Sequence, residues 1–209
     1  DIQNLVVRTE AHFGPIDLFC SNAGISFGEP DSATSAGNAE WQTCWEIHVM
    51  AHVYAARAVL PGMIERGGGY FLQMASAAGL LNQIGDAAYS TTKHAAVGFA
   101  EALAITHGDE GIQVSVICPQ YVATPMLGYE EGDDFGDYPG VLGPDQVADS
   151  VIKGLEDESF LILPHPQVEK FHQHKATDYD RWIRGMRRLR SNIIDQIGST
   201  NLASMHKLV

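Results

Sequence analysis

Tyr89 and Lys93, in the run Y-S-T-T-K, have the residue types and spacing that most clearly indicate chemistry in this chain. Four residues apart on a helix, their side chains lie on one face. The pKa of a free phenol is about 10, and a neighbouring ammonium favours the phenolate, which makes the phenol a usable general acid or base. The spacing alone is a weak signal, because Tyr and Lys also occur four apart by chance.

Three further segments accompany the pair. They are S-N-A-G at 21–24, M-A-S-A-A-G at 74–79 and C-P-Q-Y-V-A-T-P-M at 118–126. Ser76 is predicted to follow a strand, and ligands bind at the carboxyl ends of strands in open parallel sheets. Its hydroxyl could hold a substrate oxygen and stabilise the charge that develops there.

Apolar runs alternate with helical patterns along the chain, which is typical of βαβ units and a parallel sheet. The pattern predicts helices over 1–12, 40–65, 87–107 and 144–157 and strands over 16–21, 70–76, 112–119 and 160–164. Pro61 is a candidate kink in the second helix. Residues 120–143 are predicted to be loop-like.

With the four segments in this order, residues 1 to about 165 resemble the short-chain dehydrogenase/reductase family. The resemblance implies an α/β fold with a Rossmann-type, doubly wound parallel sheet in three α/β/α layers. It also implies NAD or NADP as cofactor and hydride transfer between the nicotinamide and an alcohol or carbonyl substrate. Residues 1–209 would form a single, partial domain of this type, with 166–209 as a C-terminal helical extension.

The resemblance also implies roles for individual residues. Tyr89 would transfer the proton, Lys93 would lower the pKa of Tyr89 and bind the cofactor ribose, and Ser76 would hold the substrate oxygen. Met126 and the loop beyond it would cover the substrate. The implied catalytic residues are Ser76, Tyr89, Lys93 and His48, and the implied cofactor-binding residues are Asn22, Ala23, Gly24, Tyr89, Lys93, Pro119, Val122 and Thr124.

Two single residues depart from the family pattern. His48 stands where the family usually has an Asn that holds a water beside the catalytic Lys, so His48 is either a relay residue with a titratable ring or a packed core histidine. Gln120 replaces the Gly that usually follows Pro119. Its side chain could crowd the nicotinamide or offer it an amide hydrogen bond.

A third departure concerns the phosphate-binding turn, because no T-G-x-x-x-G-x-G occurs in the sequence. The chain is therefore expected to be a fragment without the N-terminal strands, lacking roughly 60–70 residues of the family fold, with an apolar edge exposed along 16–21. The alternative function is a catalytically impaired or truncated relative that acts as a binding or assembly module. A lyase on this fold would use Arg where this chain has Lys93.

Composition limits the remaining possibilities. The formal charge of −13 argues against nucleic acid and acidic membranes as partners, and no apolar run is expected to cross a bilayer. Cys20 and Cys118 are predicted to be buried thiols, which favours a cytoplasmic location. The acidic stretch 130–134 lacks calcium-loop spacing, so no metal is predicted.

The predicted partners are small molecules and further copies of the chain. Aromatic residues in the loop-like region favour an apolar alcohol or ketone substrate, although packing alone explains them equally well. The family resemblance implies a homodimer or homotetramer. The basic segment 181–190 is predicted to be a surface or subunit-contact helix.

Overall fold

The computed structural model describes residues 1–28, 32–130, 132–135, 138 and 140–208. The helices are α1 (Ile2–Phe13), α2 (Asn38–Trp45), α3 (Ala51–Glu65), α4 (Ala87–His107), α5 (Pro144–Glu156), α6 (Gln167–Thr177), α7 (Tyr179–Ile197) and α8 (Leu202–Met205). The strands are β1 (Leu18–Ser21), β2 (Gly69–Met74), β3 (Ile112–Ile117), β4 (Tyr121–Val122), β5 (Val141–Leu142) and β6 (Leu161–Ile162). Glu131, in the acidic stretch 130–134, lies outside the described residues.

The main sheet has the order β1-β2-β3-β6, and all its strands are parallel. Phe19 pairs with Phe71, which in turn pairs with Val114. Parallel neighbours require crossover connections, and here the crossovers contain α2 with α3, then α4, then α5. The predicted Rossmann-type α/β fold is confirmed.

The strand β1 lies at one edge of the described sheet. Its side chains alternate between exposed and half-buried, and Leu18 is 44% exposed. Cys20 is also exposed, so the prediction of a buried thiol is wrong there, because Cys20 lies on the exposed side of the edge strand β1. Cys118 is buried as predicted.

The second predicted helix is a continuous helical run from Asn38 to Glu65 with a π-helical segment, Glu46–Met50, in its middle. Pro61 lies inside α3. A π-helical turn changes the direction of the side chains that follow it and is frequent at functional sites. This turn contains His48.

Helix α3 and helix α4 pack their apolar faces on the sheet. Val59 and Met63 from α3 meet Phe71 of β2 and Val116 of β3 in the main core, and Ala100 of α4 joins them. By length and composition the run Asn38–Glu65 could cross a membrane, which the sequence analysis did not anticipate. A core helix passes the same test, and Val59 and Met63 are buried within the fold.

The region 120–143, predicted to be loop-like, contains a second small sheet in which β4 pairs with β5. A short 3-10 helix, Pro125–Leu127, lies between these strands. Beyond β6, the helices α6, α7 and α8 follow in succession. Val168 of α6 is fully buried in the main core, and Trp182 of α7 packs against that core.

Candidate active site

Ser76 and Tyr89 come from the carboxyl end of β2 and the first turn of α4. The Ser76 hydroxyl accepts a hydrogen bond from the Ala78 N–H at 3.1 Å and donates to the Pro119 carbonyl at 3.4 Å. Helix α4 begins at the N-cap Asp86, whose Oδ1 accepts from the Tyr89 N–H at 3.1 Å. This cap fixes the helical turn that carries the phenol.

The Tyr89 hydroxyl meets the Ser76 side chain. Burial raises the pKa of Tyr89 to about 12, although the hydrogen bond with Ser76 lowers it in part. The direction is opposite to the expected effect of Lys93, because loss of water around the phenol outweighs its polar contacts. At neutral pH Tyr89 is therefore a protonated phenol that can donate.

Lys93 lies beneath the phenol, with its side chain only 2% exposed. Its Nζ is 5.6 Å from the centroid of the Tyr89 ring and donates to the Met74 carbonyl at 2.9 Å. Burial lowers the pKa of Lys93 to about 8, so the ammonium still predominates at neutral pH. An ammonium has three donors, and within the described part of the chain only Met74 accepts from it in a hydrogen bond.

The turn Asn22–Gly24 follows β1 and lies against the same buried lysine. A Cβ atom on Gly24 would be 3.5 Å from the Lys93 Nζ and 3.7 Å from the His48 Nε2. Two residues further on, the Ser26 hydroxyl donates to Asp86 at 2.6 Å. The turn after β1 is thereby joined to the N-terminus of α4.

The segment after β3 bends across the same edge of the sheet. The Pro119 carbonyl accepts from the Ala77 N–H at 2.8 Å, which joins the ends of β3 and β2. Val122 lies in β4, and the Thr124 hydroxyl donates to the Val122 carbonyl at 3.3 Å.

One cavity of about 760 Å³ lies at the carboxyl ends of β1, β2 and β3. It brings together every implied site residue except His48. The wall includes Asn22, Ala23, Gly24, Ser76, Tyr89, Lys93, Pro119, Val122 and Thr124. Met126 also lines it.

The family model described as short chain dehydrogenase matches residues 1–134. The chain belongs to this family. Two curated relatives are a CLA biosynthesis dehydrogenase/reductase of Lactiplantibacillus plantarum, 31% identical, and a cyclohexanol dehydrogenase of Acinetobacter sp., 30% identical. The alignments cover 79% and 78% of this chain and 66% and 65% of the relatives, so the chain spans about two thirds of their length.

A solved structure shares the fold. The short chain dehydrogenase/reductase from Burkholderia phymatum in complex with NAD aligns with a TM-score of 0.74 at 22% identity. The match covers 86% of this chain and 72% of that chain.

His48, the first departure from the family pattern, is completely buried behind the cavity wall. Its Nε2 accepts from the Ile25 N–H at 3.1 Å, and its Nδ1 lies 2.7 Å from the Thr92 hydroxyl. Since a backbone N–H can only donate, Nε2 is unprotonated and Nδ1–H donates to Thr92. Burial, with the Lys93 charge and His52 as smaller causes, lowers the pKa of His48 to about 3.

Gln120, the second departure, is directed toward α6. Its side-chain oxygen accepts from the Gln167 amide at 3.2 Å, and its backbone N–H donates to the Nδ1 of His165 at 3.1 Å. The other ring nitrogen of His165 is 3.0 Å from the Tyr121 carbonyl. Gln120 still lines the cavity, so its side chain forms part of the wall while Gln167 holds its amide oxygen.

The sequence analysis missed a buried polar pair, His52 and Gln73. Both are 1% exposed, and neither side chain has a hydrogen-bond partner among the described residues. Burial lowers the pKa of His52 to about 4, while the nearby Gln73 side chain raises it and the Lys93 charge lowers it. Spacing along the helix did not reveal the pair, because the π-helical segment Glu46–Met50 changes the helical faces after His48 and Gln73 comes from β2.

Proposed function

We propose that the protein is an NAD(P)-dependent oxidoreductase that transfers hydride between the nicotinamide and an alcohol or carbonyl substrate, with Tyr89 as general acid/base. The observation that carries the proposal is the meeting of Ser76, Tyr89 and Lys93 at the wall of one cavity. The relative that is a cyclohexanol dehydrogenase supports the same reaction class.

Each side chain has a task that follows from its surroundings. The Ser76 hydroxyl, next to the phenol, holds the substrate oxygen, and Tyr89 gives that oxygen its proton when a carbonyl is reduced. The ammonium of Lys93 stabilises negative charge as it develops on the Tyr89 oxygen. Because the pKa of Lys93 is about 8, this support weakens as the pH rises above that value.

The cavity wall fits the cofactor that the family implies. The buried Lys93 ammonium keeps donors for ribose hydroxyls, and the turn at Asn22, Ala23 and Gly24 lies beside it. Pro119, Val122 and Thr124 would hold the nicotinamide end. When bound, NAD or NADP supplies or accepts the hydride. The solved relative in complex with NAD supports this assignment.

The alternative of a binding or assembly module drew on His48 and Gln120. Neither residue disturbs the cavity, since the ring nitrogens of His48 bond to Ile25 and Thr92 and the amide of Gln120 bonds to Gln167. With Ser76, Tyr89 and Lys93 all present at the wall, catalysis is the function that these residues favour.

We also propose a homodimer or homotetramer that acts in the cytoplasm on small-molecule alcohols or ketones. The long helices provide candidate subunit faces, with Trp45 41% exposed, Tyr54 43% exposed and Ile105 84% exposed. The net charge of −13 argues against both nucleic acid and an anionic membrane as a partner, because like charges repel.

Replacement of Tyr89 by Phe tests the catalytic assignment. The ring stays and only the hydroxyl is lost, so we expect kcat to fall by about 10²–10⁴-fold, the usual contribution of a general acid/base. The affinity for NADH or NADPH, measured by energy transfer from tryptophan to the nicotinamide, should change little. Steady-state carbonyl reduction by the full-length protein provides the measurement.

The matched control is Tyr54→Phe, because Tyr54 is exposed on α3 and lies outside the cavity wall. It should retain the rate of the unchanged protein. Turnover by the Tyr89→Phe variant at the unchanged rate would refute the role of Tyr89. A folded full-length protein that binds neither cofactor would refute the proposed function.

A further inference from the structure

A second cavity, of about 410 Å³, lies beside the catalytic one. The two cavities share Ser76, Gln83, Gln120 and Tyr121 in their walls. A ligand whose reactive oxygen rests at Ser76 can therefore extend from the first cavity into this second space. Nothing in the sequence indicated the cavity, because helices from the last quarter of the chain form its outer wall.

The wall of the second cavity is mainly apolar. Its large side chains come from the segment after β2 and from α6, α7 and α8, namely Leu81, Phe171, Trp182, Met186, Leu189 and Met205. Two methionines give part of this wall an adaptable shape. Such a surface accepts the hydrocarbon body of a ligand.

Helix α7 also places positive charge at this wall. It carries five arginines between 181 and 190, and Arg181 and Arg188 line the second cavity and are exposed. Among the residues that the structure describes, the only ion pair is His107 with Glu110, so neither guanidinium group forms an ion pair there, although the Asp178 carboxylate lines the same cavity. The nearby Asp178 accepts from the backbone N–H of Arg181 as the N-cap of α7.

Arginines without an ion-pair partner in the described part of the chain, placed at an apolar cavity, can bind an anion. The chain as a whole carries −13, so an anion approaching elsewhere meets repulsion. The planar guanidinium group binds carboxylate or phosphate oxygens through paired hydrogen bonds. The two features of this wall, hydrocarbon surface and guanidinium, match opposite parts of one molecule.

We infer that the second cavity binds the body of an amphipathic anionic substrate, an alkyl alcohol or ketone whose carboxylate or phosphate group contacts Arg181 and Arg188. The inference rests on the proposed function for the placement of the reactive oxygen at Ser76. The anion site itself can be measured without turnover.

The test is calorimetric titration of the full-length protein with octanoate, octyl phosphate and 1-octanol. Octanoate or octyl phosphate should bind at least about tenfold more tightly than the neutral alcohol, as expected for a charge-assisted contact. The better of the two anions identifies the oxyanion. Added NaCl should weaken the binding of the anions and leave that of 1-octanol unchanged.

Arg181→Gln and Arg188→Gln should each remove most of the preference for the anion without changing the affinity for 1-octanol. Arg184→Gln is the matched control, because Arg184 is exposed on the same helix but lines neither cavity. Equal affinity for anion and alcohol, or an equal effect of all three substitutions, would overturn the inference. Binding is read without catalysis, so an inactive protein that keeps the anion preference would refute only the proposed function.

Discussion

His48 is held by two hydrogen bonds that determine its protonation. Ile25 donates to its Nε2, and its Nδ1–H donates to Thr92, whose hydroxyl in turn reaches the Ala88 carbonyl at 2.9 Å. With a pKa of about 3, the ring is neutral across the physiological range. His48 therefore joins the turn after β1 to α4, and the titrating groups of the site are Tyr89 and Lys93.

Replacement of His48 separates its two hydrogen bonds from its ring volume. His48→Phe keeps an aromatic ring and leaves the Ile25 N–H and the Thr92 hydroxyl without this partner, so we expect the free energy of unfolding to fall by about 1–3 kcal/mol. His48→Gln retains an acceptor and a donor and should lose less. Urea denaturation measures both variants.

If His48→Phe is as stable as His48→Gln, the hydrogen bonds described here do not hold the turn. If the pH profile of carbonyl reduction keeps its alkaline limb in His48→Gln, that limb belongs to Lys93, whose pKa is about 8.

The contact between the segment after β2 and helix α4 positions the proposed catalytic groups. Gly79 ends the 3-10 turn Ala77–Gly79 that follows Ser76. A Cβ atom on Gly79 would lie 2.6 Å from the carbonyl oxygen of Lys93 and 2.9 Å from its carbonyl carbon. The absence of a side chain at Gly79 therefore lets α4 approach closely enough to place Tyr89 against Ser76.

A pair of glycine substitutions tests this contact. Gly79→Ala should lower the free energy of unfolding by about 1–3 kcal/mol, because the added methyl group forces backbone away from backbone. Gly98→Ala is the matched control, since Gly98 is exposed within α4 and a Cβ there meets nothing within 4 Å. It should raise the free energy of unfolding by up to about 1 kcal/mol through helix propensity.

Thermal or urea unfolding of both variants provides the measurement. Similar stabilities for the two alanine variants would contradict the close packing at Gly79. A Gly79→Ala variant that loses stability but keeps full activity would separate the packing from the placement of Tyr89.

Long elements were predictable from local sequence, and short or long-range features were not. The prediction of a helix over 87–107 coincides with α4, and that over 144–157 differs from α5 by one residue. Strands β4 and β5 have two residues each, too few for an alternating pattern to appear. His52 of α3 and Gln73 of β2 are buried near each other, a proximity that spacing along the chain does not encode.

Buried and half-buried histidines link the stability of the whole fold to pH. Burial lowers the pKa of His48, His52, His94 and His165, to about 3 for His48 and about 4 for His52. In the unfolded chain a histidine has a pKa of about 6.5. Between these values the unfolded chain binds more protons than the folded chain. The stability that the neutral histidines contribute is therefore fully present above about pH 6.5 and is lost as the pH falls toward their folded-state pKa values.

His52 is the member of this group that can be replaced most cleanly, because neither ring nitrogen has a described partner. His52→Leu should change the free energy of unfolding little at about pH 7.5, since it removes two buried ring nitrogens without a described partner and leaves the buried Gln73 amide in place. From about pH 7.5 down to about pH 4, the free energy of unfolding should fall less in His52→Leu than in the unchanged protein, by on the order of 3 kcal/mol. Urea midpoints across this range measure the difference. The exposed His12→Asn serves as control, with changes within about 0.5 kcal/mol. A pH dependence in His52→Leu equal to that of the unchanged protein would show that His52 titrates in the folded state as it does in the unfolded chain.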